Sequence, residues 1–328
     1  MKLYVIGNGF DLHHKLHTEY SDYKSFLKEK HPSVYHDSDS FSHYSIHDQL
    51  YPILQKLNTT FAYDCSRFSK REFEEYYGIE ECSIWTDVES SLDIDYFETM
   101  EEFVSDHYPD MSSDSDSRWH NMGFAADGST SFIDDFINSC FIEWLKSIDI
   151  DNVKPDLSLD LDSKFISFNY TLVLENIYMI PNERVFHIHG SLNNADEHGN
   201  YDIQFGSPDI DVEYANKKLI EKYGSDEFFE VTLSFAMNPI MSFLEKALKD
   251  IKLNYAPLEE FVSDVDADEI HVLGHSFMGV DLPYYEDILI PKYRDSKWIF
   301  KCYSRVDFIN ICYFVNEYHI KNYIIEKW

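Results

Sequence analysis

Residues 2–11 read KLYVIGNGFD, an apolar run that ends in two glycines, an asparagine and an aspartate. The pattern predicts a buried β-strand over Leu3–Ile6 followed by a sharp turn. The two glycines would let an anion or a ribose-phosphate come close to exposed amide N–H groups. They also suit a tight strand-to-helix turn capped by Asn8 or Asp11. The turn by itself leaves both interpretations open.

Five further segments share this character, being short, rich in β-branched and aromatic residues and bounded by turn residues. Near-continuous hydrophobicity is typical of strands buried on both faces, and the segments are Lys164–Phe168, Arg184–Ile188, Tyr201–Phe205, Glu269–Leu273 and Lys297–Cys302. Helical periodicity separates several of them, most clearly over 132–148 and 307–327. The alternation predicts a Rossmann-like α/β fold with a mostly parallel sheet flanked by helices. The polar loop at 193–200 allows a hairpin, which would make one strand antiparallel.

The domain organisation follows from the spacing of the strands. More than 150 residues separate the first predicted strand from the second, too many for one crossover helix. We therefore expect a single α/β domain over 1–328, with residues 30–150 forming a mainly helical insertion that covers the ligand edge of the sheet. Within it, the acidic, serine-rich segments at 36–40 and 112–117 are expected to form loops.

Composition limits the function. The chain carries 27 basic and 60 acidic side chains, a net charge of −33, which disfavours generic binding to nucleic acid or anionic membranes. The five cysteines include no C-x-x-C pair, which argues against a zinc ribbon or a disulfide framework and favours a reduced compartment. No signal peptide or stretch of about 20 apolar residues is evident. We expect a cytoplasmic location.

Candidate site residues follow from the position of the strand ends. Ligands of open α/β sheets bind outside the carboxyl ends of the strands. Small or polar groups follow each of the first five predicted strands, namely GNGFD at 7–11, NYT at 169–171, His187 with His189 and Gly190, Gly206-Ser207, and GHS at 274–276 with Asp281 beyond. Together they predict one coherent site.

Several longer blocks are distinctive. They are LYVIGNGFDLHHKLHTEYSDYKSFL (3–27), WTDVESSL (85–92), FISFNYT (165–171), HIHGSLN (187–193) and VLGHSFMGVDLPYYEDI (272–288). In this order, and from one end of the chain to the other, they resemble the phage abortive-infection AbiH family. The resemblance implies a role in bacterial antiphage defence, often through harm to the infected host.

The layout of strand-end residues is also similar to that of sirtuin-like NAD-consuming domains in bacterial defence proteins. That resemblance implies that Asn169 and His189 are catalytic, and that nucleotide is contacted by Gly7, Gly9, Ser276 and Asp281. The candidate binding set also includes Asn8, Asp11 and His187, which lie at the same strand ends. The turn here reads G-N-G-F-D where those domains usually have G-A-G-x-S. The absence of C-x-x-C pairs excludes the zinc module of true protein deacetylases and argues against deacetylation.

Cleavage of the nicotinamide–ribose bond of NAD suits this residue set. The leaving group is already cationic and needs no proton, so the site needs a base and a neutral group that orients water or a ribose hydroxyl. His189 suits the first role near pH 7 and Asn169 the second. His187 faces the same side of a regular strand, so spacing does not separate the two histidines. NAD is expected as a substrate, with no metal.

Other functions stay open. A non-catalytic nucleotide-binding sensor is one. A serine hydrolase built on Ser276 with Asp281 or Asp287 is less favoured, as is a nuclease, which the acidic surface opposes. Glu89, in the insertion, is either a second carboxylate of the site or a solvated helical charge beside Trp85. The expected partners are a nucleotide-type small molecule and a phage trigger or partner defence protein, and self-association is left open.

Overall fold

The structure, a computed structural model, contains a sheet of six parallel strands. The strands are β1 (Lys2–Ile6), β2 (Lys164–Ser167), β3 (Val185–His187), β4 (Glu269–Leu273), β5 (Lys297–Cys302) and β6 (Tyr323–Lys327). The residues that the structure describes are 1–41, 88–92, 127–128, 130–193, 195–196, 199, 201–207, 217, 221, 238–239, 241–277, 279–303 and 305–328.

The strand order is β3-β2-β1-β4-β5-β6. From β1 the chain adds β2 and β3 on one side, and then returns to place β4 on the other side of β1. In sheets of this order, the reversal between two such neighbouring strands leaves a crevice at their carboxyl ends, where ligands bind. The predicted Rossmann-like α/β fold is confirmed.

Helices connect and flank the strands. They are α1 (Asn8–His13), α2 (Tyr20–Lys30), α3 (Pro32–Phe41), α4 (Val88–Ser91), α5 (Cys140–Ser147), α6 (Val173–Asn176), α7 (Tyr255–Val262), α8 (Leu282–Tyr284), α9 (Ile290–Tyr293) and α10 (Arg305–Glu317). π-Helical turns occupy Asp135–Ser139 and Tyr285–Leu289, and 3₁₀ turns occupy Asn182–Arg184, Ile251–Asn254 and Gly279–Asp281. None of the described helices is long and apolar enough to cross a membrane.

The first strand is buried on both faces, which explains its continuous hydrophobic pattern. Leu3 and Val5 belong to the core formed with α7, α10 and the π-turn after α8. Tyr4 and Ile6 point to the opposite core, formed with α1 and α6. Successive side chains of a strand alternate between faces, so a strand covered on both sides needs apolar residues at every position.

The fourth predicted strand, over Tyr201–Phe205, is wrong. Only an isolated antiparallel bridge joins Ala195 to Tyr201. Gln204 N–H donates to the carbonyl of His189 at 2.9 Å. Gly206 N–H donates to the side chain of Glu89 at 3.3 Å and not to a strand. Among the described residues, 201–205 add no strand to the sheet, and all six strands of the sheet are parallel.

The predicted helix over 307–327 is only partly correct. It ends at Glu317 as α10, His319 adopts a left-handed φ of 55°, and residues 323–327 form β6 instead. The local sequence of β6 begins Tyr-Ile-Ile, which suits a strand. Pairing with β5 completes the sheet, and helical periodicity alone does not reveal that pairing.

Most of the predicted insertion, including 42–87, 93–126 and the acidic segment 112–117, lies outside the described residues. Its described parts include α3, α4 and α5, which are helical. The segment 36–40 belongs to α3 and is not a loop. The division into an α/β domain and a helical insertion over 30–150 stays a prediction.

The turns after β1 and β4 contact each other backbone to backbone. Gly9 N–H donates to the carbonyl of Gly274 at 2.8 Å, and Gly7 N–H donates to that of Leu273 at 3.0 Å. A methyl group on Gly9 would lie 2.7 Å from Gly274 Cα. Gly274 itself has a left-handed φ of 68°, a conformation that favours glycine. Glycine is therefore needed on both sides of this contact.

We predict that Gly9→Ala lowers the free energy of unfolding by about 1–3 kcal/mol, because its methyl group would overlap rigid backbone. The control is Gly128→Ala, since nothing lies within 4 Å of a methyl group at Gly128. Urea denaturation of both variants measures the effect. Equal midpoints for the two variants would contradict the close contact.

Candidate active site

Several of the predicted site residues contact one another where β1, β2, β3 and β4 end, whereas Asn8 and Ser276 are exposed there. The amide Nδ2 of Asn169, after β2, donates to the carbonyl of Gly7, after β1, at 3.1 Å. The carbonyl of Asn169 accepts from His187 Nδ1 at 2.9 Å. On the far side, His189 Nε2 lies 2.7 Å from Oδ1 of Asp281. Residues from four segments that are distant in sequence are thus joined by direct hydrogen bonds.

The glycine turn contributes close packing here. The amides of Gly7 and Gly9 donate to the β4 end, so they do not form the anion cradle that the sequence allowed. Asn8 is exposed, and its side chain exchanges two hydrogen bonds with Thr18. The N-cap of α1 is Gly7, and neither Asn8 nor Asp11 caps it.

Asp11 is buried inside α1 and faces the turn after β2. Its Oδ2 accepts from the Thr171 hydroxyl at 2.7 Å, while Oδ1 has no hydrogen-bond partner among the described residues. Burial raises the pKa of this carboxyl to about 6, against the opposing hydrogen bond from Thr171. A buried carboxyl with this pKa changes its charge near physiological pH.

The two histidines of β3 and its end have different surroundings. His187 Nε2 lies 2.7 Å from Glu175 Oε1, and its Nδ1 contacts the carbonyl of Asn169. A carbonyl only accepts, so Nδ1 carries a proton. Both nitrogens of His187 are therefore occupied, and this ring supports the turn that holds Asn169. The structure separates two roles that sequence spacing left open.

His189 keeps one nitrogen without a partner. It is 2% exposed. Its Nε2 contacts Asp281, whereas Nδ1 has no hydrogen-bond partner among the described residues. With the proton on Nε2 facing a carboxylate, the lone pair on Nδ1 can accept a proton. His189 is thus the histidine that can act as a base.

Asp281 is shared by two histidines. Its Oδ1 contacts His189, and its Oδ2 lies 3.3 Å from His275 Nε2. Burial alone would raise the pKa of the Asp281 carboxyl, but its interactions with the ring N–H groups of His189 and, more weakly, His275 hold that pKa well below its usual range. Asp281 therefore remains a carboxylate that orients His189 and binds its proton-bearing nitrogen.

Two of these partners, His275 and Glu175, were not among the site residues predicted from the sequence. His275 stands directly before Ser276 in the strand-end tripeptide, but the G-x-S pattern drew attention to Ser276 instead. In the structure His275 is buried and Ser276 is exposed. Glu175 lies in α6 and follows no recognisable motif. The structure does not support Ser276 as a nucleophile, because it is His275, and not Ser276, that contacts Asp281.

Unsatisfied polar atoms concentrate at this edge of the sheet. The described residues contain seven buried side-chain polar atoms that lack a well-aligned hydrogen bond, and five of them are here: Asp11 Oδ1, Glu175 Oε2, His189 Nδ1, His275 Nε2 and Tyr285 Oη. Native proteins leave few such atoms, and exceptions cluster where function requires them. This concentration makes the edge the candidate functional site.

Glu89 is neither solvated nor part of the histidine cluster. Its Oε1 lies 2.6 Å from Lys249 Nζ in a buried ion pair, and its Oε2 accepts from Tyr20 at 2.9 Å. The helix α4 that carries Glu89 packs against the 279–281 turn, where Asp281 resides. The predicted insertion thus reaches the candidate site at the turn that carries Asp281.

An open cleft lies elsewhere. It is lined by residues such as Asp264, Lys292 and Arg294 near the starts of β4 and β5, opposite the edge that holds His189. Within the part of the chain that the structure describes, no three His, Cys, Asp or Glu side chains are arranged to hold a metal ion.

Comparison with known proteins identifies one family. A family model described as "Bacteriophage abortive infection AbiH" matches residues 3–302. No curated protein and no solved structure matches the chain. The matched region includes every candidate site residue.

We predict that Asp11→Asn makes the protein more stable than wild type at pH 7. The folded carboxyl has a pKa of about 6, and an unfolded one has about 3.9. Between these values only the folded chain holds the proton, so stability falls as pH rises through this window. The gap corresponds to about 3 kcal/mol. Asparagine keeps an acceptor for Thr171 and cannot ionise.

Urea denaturation at about pH 4 and about pH 7 measures this effect, with Asp151→Asn as the control because Asp151 is exposed. The Asp11 variant should lose the fall in stability between the two pH values relative to both other proteins. If the Asp11 variant shows the same pH dependence as wild type, ionisation of Asp11 does not destabilise the folded chain, and the prediction is wrong.

Proposed function

The chain belongs to the bacteriophage abortive infection AbiH family, with a role in abortive-infection defence against phage, and we propose that it acts there by hydrolysing NAD or a related nucleotide at the nicotinamide–ribose bond. One observation carries the proposal. His189 presents a bare, buried Nδ1 beside the β1–β4 reversal, with its other nitrogen on a carboxylate. This is the arrangement of an oriented general base at the ligand-binding end of an α/β sheet.

The reaction breaks the bond between ribose C1′ and the pyridinium nitrogen. The nicotinamide leaves as a neutral molecule with the bonding electron pair, and an oxocarbenium-like C1′ accepts the oxygen of water. His189 Nδ1 takes the proton of that water, and Asp281 stabilises the imidazolium that forms. The products are ADP-ribose, nicotinamide and a proton, so atoms and charge balance.

Asn169 suits the task of orienting the attacking water or a ribose hydroxyl. Its Nδ2 is fixed on the carbonyl of Gly7, and its backbone is fixed by Ser167 and His187. An amide held in this way accepts a hydrogen bond through Oδ1 without competing as a nucleophile. Asp11 and Thr171 lie next to it and offer a carboxyl and a hydroxyl to ribose.

A nucleotide sensor without catalysis is the second candidate. The observation in its favour is that His189 is 2% exposed, so a substrate reaches Nδ1 only after the surrounding side chains move. A sensor would bind its nucleotide at the same strand ends without using the base. Loss of His189 therefore separates the two functions.

We predict that His189→Ala lowers nicotinamide release from NAD by about 10²- to 10⁴-fold, the usual effect of removing a general base. Asn169→Ala should lower the rate without moving the pH profile, because an amide does not titrate. The matched control is His36→Ala, whose histidine is exposed. Released nicotinamide is measured with purified protein, alone and with phage lysate, and plaque counts are measured in cells.

Two results would count against the proposal. If wild type releases no nicotinamide under either condition, hydrolysis of NAD is excluded and the sensor becomes the better account. If His189→Ala still protects cells from phage, defence does not depend on this base. The folded state of each variant is checked by its urea midpoint.

A further inference from the structure

We propose that His275 is a positioning residue, held as the neutral Nε2–H tautomer, that fixes the Asp281 carboxylate so that His189 keeps its proton on Nε2 and its lone pair on Nδ1. The inference rests on the proposed function only for the step that His189 performs. The tautomers themselves follow from the geometry and can be measured without any substrate.

The tautomer of His275 is set by the backbone. The amide N–H of Phe277 donates to His275 Nδ1 at 3.0 Å. A ring nitrogen that accepts a hydrogen bond carries no proton, so the single proton of the neutral ring is on Nε2. A doubly protonated ring would place one N–H against another. The structure therefore requires a neutral His275 whose Nε2–H faces Asp281.

Phe277 is held where it can make this hydrogen bond. It has a left-handed φ of 56°, which is uncommon for a residue with a large side chain. Its ring packs against Phe300, Phe314 and Tyr285 in the core. Strained backbone persists where the surroundings over-determine it, often at functional sites. The core thus enforces the direction of the Phe277 amide.

The other groups near this trio do not compete for its charge. Burial raises the pKa of Tyr170, Tyr284 and Tyr285 above the usual range, so all three stay neutral at pH 7. Glu89 is paired with Lys249. Among the described residues, Asp281 is therefore the carboxylate that both imidazoles share.

Contact from two sides restricts the carboxylate. His189 takes Oδ1, and His275 Nε2 lies 3.3 Å from Oδ2. That second contact is not an aligned hydrogen bond, but it places a proton-bearing nitrogen against the remaining oxygen. Without His275, Asp281 could rotate about its side-chain bonds, and His189 would lose the fixed partner that selects its tautomer.

Two variants of the full chain test the inference. His275→Phe keeps a ring of similar size but has no donor for Asp281. His275→Gln keeps an amide that can accept from Phe277 or donate to Asp281 and cannot titrate. We expect His275→Phe to lower kcat for nicotinamide release from NAD by roughly 10- to 100-fold with little change in KM. We expect His275→Gln to recover most of that loss and to keep the wild-type pH profile.

Long-range ¹H–¹⁵N NMR of the histidine rings gives a readout that needs no substrate. The expected wild-type spectrum at pH 7 shows both His275 and His189 as Nε2–H tautomers, with the His189 signal becoming a tautomer mixture in His275→Phe. A His275 ring protonated on Nδ1 overturns the inference. So does an unchanged His189 signal in His275→Phe, or a folded His275→Gln as impaired as His275→Phe.

The two proposals can fail separately. If wild type releases no nicotinamide from NAD, the proposed reaction fails, and the ring spectra still decide whether His275 sets the tautomer of His189. If nicotinamide is released but the spectra show the other tautomer, only the positioning role of His275 is lost.

Discussion

The contact between the turn after β1 and the turn after β4 is the constraint on which the site depends. Gly9 and Gly274 meet backbone to backbone, with no space for a side chain on either. Gly7 lies equally close to the backbone of His275. This contact fixes the distance between the ends of β1 and β2, which carry Asp11 and Asn169, and the end of β4, which carries His275. Any side chain on the glycines would separate them.

His187 and His189 are only two residues apart, but they contact different carboxylates and differ in role. Glu175 and a backbone carbonyl occupy His187 on both nitrogens, so it acts as a support. Asp281 occupies one nitrogen of His189 and leaves the other bare. The intrinsic chemistry of the two rings is identical. Their surroundings alone make one ring a structural support and the other a candidate base.

The site retains polar groups that a core designed only for stability would not contain. Asp11 is buried with an unpartnered oxygen and a raised pKa, and Glu89 and Lys249 form an ion pair inside the protein. Buried ion pairs of this kind contribute little net stability, because desolvation offsets their attraction. Stability comes instead from apolar burial, for example the aromatic packing around Tyr23, Phe141 and Phe314.

The sequence by itself determined the fold class, five of the six strands of the sheet and the group of strand ends that forms the candidate site. Strand patterns such as that of β1 are local, and parallel strands bring their carboxyl ends to one edge, so Asn169 and His189 could be placed at the same edge as Gly7 without coordinates. Only the tertiary structure decided the sixth strand, because Tyr323–Lys327 becomes a strand by pairing with β5. It also decided which histidine is free, since Glu175, Asp281 and His275 reach these rings from distant segments. Hydrogen bonds between such segments leave no periodic trace in the sequence, and for that reason the roles of His187, His189 and His275 could not be read from it.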